Sequence, residues 1–245
     1  MNITLGQSLA AFVSAGLGAA LAVFVGVSHR QLCILISFAA GILLSAAVFH
    51  IIPEAAAAGI SPFSIFFALA SGYALFFIIS RYVSHVCPAC AASHFEHQPV
   101  SKFANVFFLL AIALTIHSTL DGVAIALSPQ MTNHADHSIF LTIAIHKLPE
   151  GLALCALLMR SGHARTQALL WTLLFETSTI LGWALGNFIL QAGIQTSWMD
   201  LMMVHIAGGF IYLALHATIN EIRDHSPRLI IVFFLIGFLF MSLVR

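Results

Sequence analysis

Residues Phe103 to Leu127 read FANVFFLLAIALTIHSTLDGVAIAL, and Ser138 to Met159 read SIFLTIAIHKLPEGLALCALLM. Each run is long and apolar enough to cross a hydrocarbon core of roughly 30 Å as a helix. Each also sets a histidine four residues ahead of a carboxylate: His117 with Asp121, and His146 with Glu150. On a helix that spacing stacks both side chains on one face, about one turn apart. Ionisable groups at bilayer depth cost several kcal/mol unless they are paired, hydrated or metal-bound, so two such pairs on neighbouring helices require a reason. A divalent metal ion passing between them supplies one.

The same apolar character extends over the whole chain. Of 245 residues, 60% are hydrophobic and 7% are charged, which excludes a soluble domain of this length. Apolar stretches of about twenty residues can be marked off eight times: near Leu5 to Val27, Leu32 to Ile52, Pro62 to Val83, Phe103 to Leu127, Ser138 to Met159, Thr166 to Leu190, Met199 to His216 and Leu229 to Val244. The first has no basic segment ahead of it and is longer than the apolar part of a signal peptide, so it reads as a span. The loops are short. Residues 1–245 therefore read as a single all-α transmembrane transporter domain of eight helices, with a His- and Cys-containing loop over residues 84–102. Nine basic residues balance nine acidic ones without clustering, which excludes a nucleic-acid partner.

Orientation follows from the basic residues. Arg30, Arg81, Lys102, Arg160, Arg165, Arg223 and Arg228 fall in or beside the odd-numbered loops, whereas Arg245 alone lies on the other side and Lys147 lies inside a span. By the positive-inside rule the odd loops are cytoplasmic and both termini face outward. Counting inward at ~1.5 Å per residue brings His117, Asp121, His146, Glu150 and Glu176 to the middle third of the bilayer.

Two imidazoles and two carboxylates make a mixed nitrogen and oxygen site suited to zinc, and also to iron, manganese, cobalt or cadmium. Apart from Cys155, and Cys33 at the very start of the second span, the spans carry no cysteine, which suits a transported ion, because conduction needs binding weak enough to release. Pro149, between His146 and Glu150, frees the Ile145 carbonyl from its helical donor. Glu176, in LLFETSTILG on the sixth span, is either a protonated core glutamate or a third member of the site. The charge count favours membership: Asp121, Glu150 and Glu176 against Lys147 leave minus two, the complement of one divalent cation. A single membrane histidine more often serves helix-to-helix hydrogen bonding, but two His-x3-carboxylate pairs reverse that expectation.

These strings resemble a known family. HSTLDG at His117 to Gly122, HKLPEG at His146 to Gly151, FHIIPEA at Phe49 to Ala55 and AGGFIYLAL at Ala207 to Leu215 are similar to the fourth, fifth, second and seventh spans of the ZIP (Zrt- and Irt-like protein) divalent metal transporters. The resemblance implies a 3+2+3 inverted-repeat bundle, transport toward the cytoplasm, and a primary site of His117, Asp121, His146 and Glu150. It puts Ser118 and Glu176 in the neighbouring second site of two-metal members. Lys147 stands where those members have an acidic residue. An ammonium there repels a second cation, so the chain reads as a one-metal transporter with Lys147 in place of the second ion.

Flanking residues extend the theme. His85, Cys87, Cys90, His94 and His97 in the third loop form a Cys-x2-Cys pair followed by a His-x2-His pair, a candidate metal acceptor on the cytoplasmic side. His50 and Glu54, with His134, Asp136 and His137 of the fourth loop, make an entrance that concentrates cations, and His216, Glu221, Asp224 and His225 mirror it at the exit. The expected partners are a divalent metal ion, carried as substrate, and the lipid bilayer; pairing into a homodimer is compatible with the sequence. The compact loops favour a bacterial inner membrane. An alternative reading is an intramembrane zinc-dependent hydrolase, which also buries His and carboxylate ligands. No HExxH helix supports it, and the chain reads as a transporter rather than an enzyme.

Overall fold

In the computed structural model, which describes residues 3–26, 28–82, 103–130, 135–193, 196–224 and 227–244, every long element is a helix and no strand occurs among the described residues. α1 spans Ile3–Phe24 and α2 spans His29–Ala46, started by a Ser28 cap whose partner is Gln31. α2 runs on through a π turn, Ala47–Ile51, into the short α3, Ile52–Ala57. Pro53 explains the wide turn: it has no N–H to donate and its ring would strike the carbonyl one turn back. The Ile52 N–H accordingly reaches five residues back to the Ala47 carbonyl. Then follow α4 (Pro62–Tyr82), α5 (Phe103–Leu127), α6 (Ala135–Arg160), α7 (Arg165–Gln191), α8 (Thr196–Asp224) and α9 (Pro227–Leu243).

Six of these segments are long and apolar enough to cross a membrane, and Leu114–Leu127 and Pro227–Leu243 are shorter apolar helices among the described residues. The chain is an integral, multi-pass membrane protein. Element positions follow the apolar stretches closely, with differences in the fourth loop, where α6 already begins at Ala135 and takes in Asp136 and His137, and in the seventh. α8 continues to Asp224, so Glu221, Arg223 and Asp224 lie on its last turns rather than in a loop. Nothing from Ala217 to Asp224 interrupts a helix, and Pro227 is tolerated as the first residue of α9. Between α6 and α7 the stop is sharper: Gly162, at φ +94°, lets the N–H groups of Gly162 and His163 fold back onto the carbonyls of Met159 and Leu158.

Four helix pairs pack with backbones almost touching, each through one glycine per helix. In α1 and α6, Gly18 faces the Leu148 carbonyl and Gly151 faces that of Ala15. In α5 and α7, Gly122 faces Thr179 while Gly182 faces Thr119. Gly41 and Gly237 join α2 to α9, and Gly72 and Gly208 join α4 to α8, in the same reciprocal way. Any Cβ at these positions would run into a carbonyl of the partner, so small residues set the interhelical distance.

Candidate metal site

α5 and α6 bring their His-x3-carboxylate faces together. His117, Asp121, His146 and Glu150 are all buried, and one ligand-capable atom from each lies within 4.8 Å of every other. His117 Nε2 is 3.5 Å from Asp121 Oδ2 and 3.6 Å from Glu150 Oε2. His146 Nε2 is 3.2 Å from the same Asp121 oxygen and 3.8 Å from the same Glu150 oxygen. Most of these separations are too long for good hydrogen bonds. They suit instead donors that share one cation: ligands at ~2.1 Å from a central tetrahedral ion lie roughly 3.4 Å from one another, close to these four His-to-carboxylate separations. Glu150 Oε2 is buried with no hydrogen-bond partner, as expected of an oxygen that faces a cation site.

The second nitrogen of His146 supports this arrangement. Its Nδ1 lies 2.9 Å from the Thr142 carbonyl one turn back on α6. Donation there fixes the tautomer that leaves the Nε2 lone pair pointing at the cluster, the usual support for a metal-binding imidazole. Pro149 sits inside α6 without ending it. On the far side, Phe76 of α4 meets His117 edge-on with ring centroids 5.9 Å apart, and Phe210 of α8 meets His146 at 6.1 Å. Both rings are 2% exposed, so they close that side of the site against water. Sequence reasoning missed them, since two phenylalanines among 21 carry no distinguishing signal.

Lys147 is fully buried beside the four. Its ammonium is 3.2 Å from Asp121 Oδ2, 3.1 Å from Glu150 Oε1 and 3.1 Å from Glu176 Oε2, and it donates to Ser118 Oγ at 2.6 Å. Ser118 in turn donates to Glu150 Oε1 at 3.2 Å. One cation therefore bridges carboxylates from three helices, α5, α6 and α7. Buried charges persist only when so compensated, and the removal of one partner of such a set typically costs ~3–5 kcal/mol. Glu176 contributes to the cluster through Lys147.

The flanking residues lie elsewhere. His50 sits in the π turn with Nε2 3.1 Å from the Met241 carbonyl of α9, and Glu54 is buried at the start of α3. His137 is exposed in the first turn of α6, which also contains Asp136. His216, on α8, stacks on Tyr212. His134, His225 and the loop residues His85, Cys87, Cys90, His94 and His97 lie outside the described residues.

Comparison with known proteins gives an independent line. Residues 89–245 match the family model described as ZIP Zinc transporter. The chain is 23% identical over 244 residues to the zinc transporter YKE4 of Saccharomyces cerevisiae, covering 87% of this chain and 70% of that protein. It is 28% identical over 223 residues to the zinc transporter ZupT of Escherichia coli, covering 88% of this chain and 86% of that protein.

Proposed function

The chain belongs to the ZIP zinc transporter family, and on that premise we propose that it carries zinc, or a related ion such as cadmium, iron or manganese, toward the cytoplasm through one site made by His117, Asp121, His146 and Glu150. The observation that carries this reading is the set of four separations of 3.2 to 3.8 Å between two imidazole nitrogens and two carboxylate oxygens, all on buried residues. Lys147 occupies the place beside it and repels a second ion, so one metal moves per cycle. The Cys/His loop over residues 84–102 would receive ions on the cytoplasmic side, and His50, Glu54, His134, Asp136 and His137 would attract them on the outer side.

Eight spans with both termini outside, in a bacterial inner membrane, form the rest of the proposal. The glycine contacts support the inverted repeat. Under an exchange of the first span with the sixth, the second with the seventh, the third with the eighth and the fourth with the fifth, the close pairs one-five and two-eight map onto six-four and seven-three.

Purified protein in sealed vesicles tests the reading. Zinc, cadmium, manganese and iron, offered one at a time, should accumulate. His146→Ala and Glu150→Ala should each lower uptake at least ~10-fold while the variants stay folded, since a four-ligand site is crippled by the loss of one ligand. Normal uptake by both variants would end the assignment of this site. Lipid or peptide turnover without flux would favour the hydrolase instead.

A further inference from the structure

A groove of about 470 Å³ runs along the α4–α8 seam at the end marked by Arg81. It starts at Tyr73 and Tyr212, whose rings meet edge-on with centroids 5.1 Å apart. From there it passes Phe77 and Ile219, both facing outward from the bundle, and reaches Ser80, Arg81 and His216. Eight residues of α4 separate Tyr73 from Arg81, so the groove is about 12 Å long. Its inner part is aromatic and aliphatic, and its mouth is polar and cationic.

Arg81 stands exposed in the last turn of α4. A long side chain there extends its guanidinium to headgroup level while its stem lies along the apolar wall. The same seam carries a second groove of about 460 Å³ toward the other face, between Ser64 and Trp198. That one has no Lys or Arg in its lining, and the one imidazole there, His205, is engaged through Nδ1 by Ser71 at 2.8 Å. Charge and polarity at the mouth therefore distinguish two grooves of similar size.

The geometry points to an anionic phospholipid bound at the Arg81 end, its phosphate held by Arg81 and Ser80 beside His216, and one acyl chain laid along Phe77 and Ile219 to the Tyr73–Tyr212 pair. Basic pockets between membrane helices on the cytoplasmic side favour anionic headgroups for this reason. The side of the membrane rests on the orientation proposed above, whereas the lipid chemistry does not. A free phosphate ion would use the mouth and leave the aromatic wall without a role, so the lipid is the better occupant.

Native mass spectrometry of the full chain, exchanged with phosphatidylglycerol or phosphatidylcholine of identical acyl chains, tests it. The unaltered protein should hold one phosphatidylglycerol at least fivefold more tightly, which converts the ~1 kcal/mol expected of a single basic side chain near an anionic surface. Arg81→Gln should erase that preference, Arg81→Lys should keep most of it, and Arg165→Gln, in the first turn of α7, should keep all of it. Equal retention of the two lipids by the unaltered protein overturns the proposal whatever the variants do. A preference that survives Arg81→Gln, or that falls equally in Arg165→Gln, also overturns it, the latter by making it a bulk charge effect. Displacement by inorganic phosphate irrespective of the acyl chain would assign the site to a free anion and overturn the lipid. Metal uptake is not a readout here, so failure of the transport site leaves this test intact.

Discussion

Lys147 carries more of the site's electrostatics than any other residue. Its ammonium is shared by Asp121, Glu150 and Glu176 at 3.1 to 3.2 Å, so the three carboxylates are assembled before any ion arrives. Lys147→Asp would exchange that cation for a fourth carboxylate and leave a charge that two divalent ions neutralise. The metal content at saturating zinc, by elemental analysis, should rise from one toward two per chain, and the melting temperature of the variant should become metal-dependent. An unchanged count would mean that Lys147 is not what excludes the second ion. The four candidate ligands were legible in sequence because His-x3-carboxylate spacing inside an apolar run has few other uses. The contact between Lys147 and Glu176 was not legible from spacing, because it joins residues 29 apart on different helices, and only the family resemblance put Glu176 beside the second-ion position that Lys147 takes. The same holds for Thr142, whose part is played by a backbone carbonyl that any residue type would supply.

At the level of elements, hydrophobic runs located the helices to within a few residues, since in a bilayer every backbone group must be satisfied inside its own helix. Which helices touch was not readable. Small residues such as Gly18 and Gly208 stand at the close contacts, yet glycine does not name its partner, and the pairing emerges only when both carbonyls are in view. The π turn at Ala47–Ile51 was equally hidden, although Pro53 is its cause. A test separates the locked contacts from loose ones. Gly122→Ala would drive a methyl into the Thr179 backbone and shift α5, which carries His117 and Asp121. It should cost ~1–3 kcal/mol and depress zinc uptake with it. Gly16→Ala, whose nearest neighbour is the movable end of Leu173 at 3.2 Å, should change both far less. Thermal unfolding and initial uptake rates in the same preparations check the contrast.

For the molecule as a whole, binding competes with protons, because neutral imidazoles and ionised carboxylates are the forms that hold a metal. Protons and the metal compete for the same lone pairs, so lowering the outer pH from about 7.5 to about 5.5 must weaken zinc binding. The half-saturating zinc concentration should rise more than the maximal rate falls, as measured by initial uptake at several outer pH values. A constant half-saturation with a falling maximal rate would put the titrating group in a conformational step. The carboxylate triad around Lys147 has one more consequence, which concerns voltage. With neutral imidazoles the cluster carries minus two when empty and zero when loaded with one divalent ion. Each elementary charge moved through 100 mV exchanges ~2.3 kcal/mol with the field. Under the inward transport proposed above, a loaded site would cross without feeling that force, whereas the empty site, returning outward, would be driven by an inside-negative potential. Imposing such a potential on vesicles should speed repeated uptake and leave the first turnover unchanged. Acceleration of the first turnover itself would mean that the loaded site, and not the empty one, carries the charge.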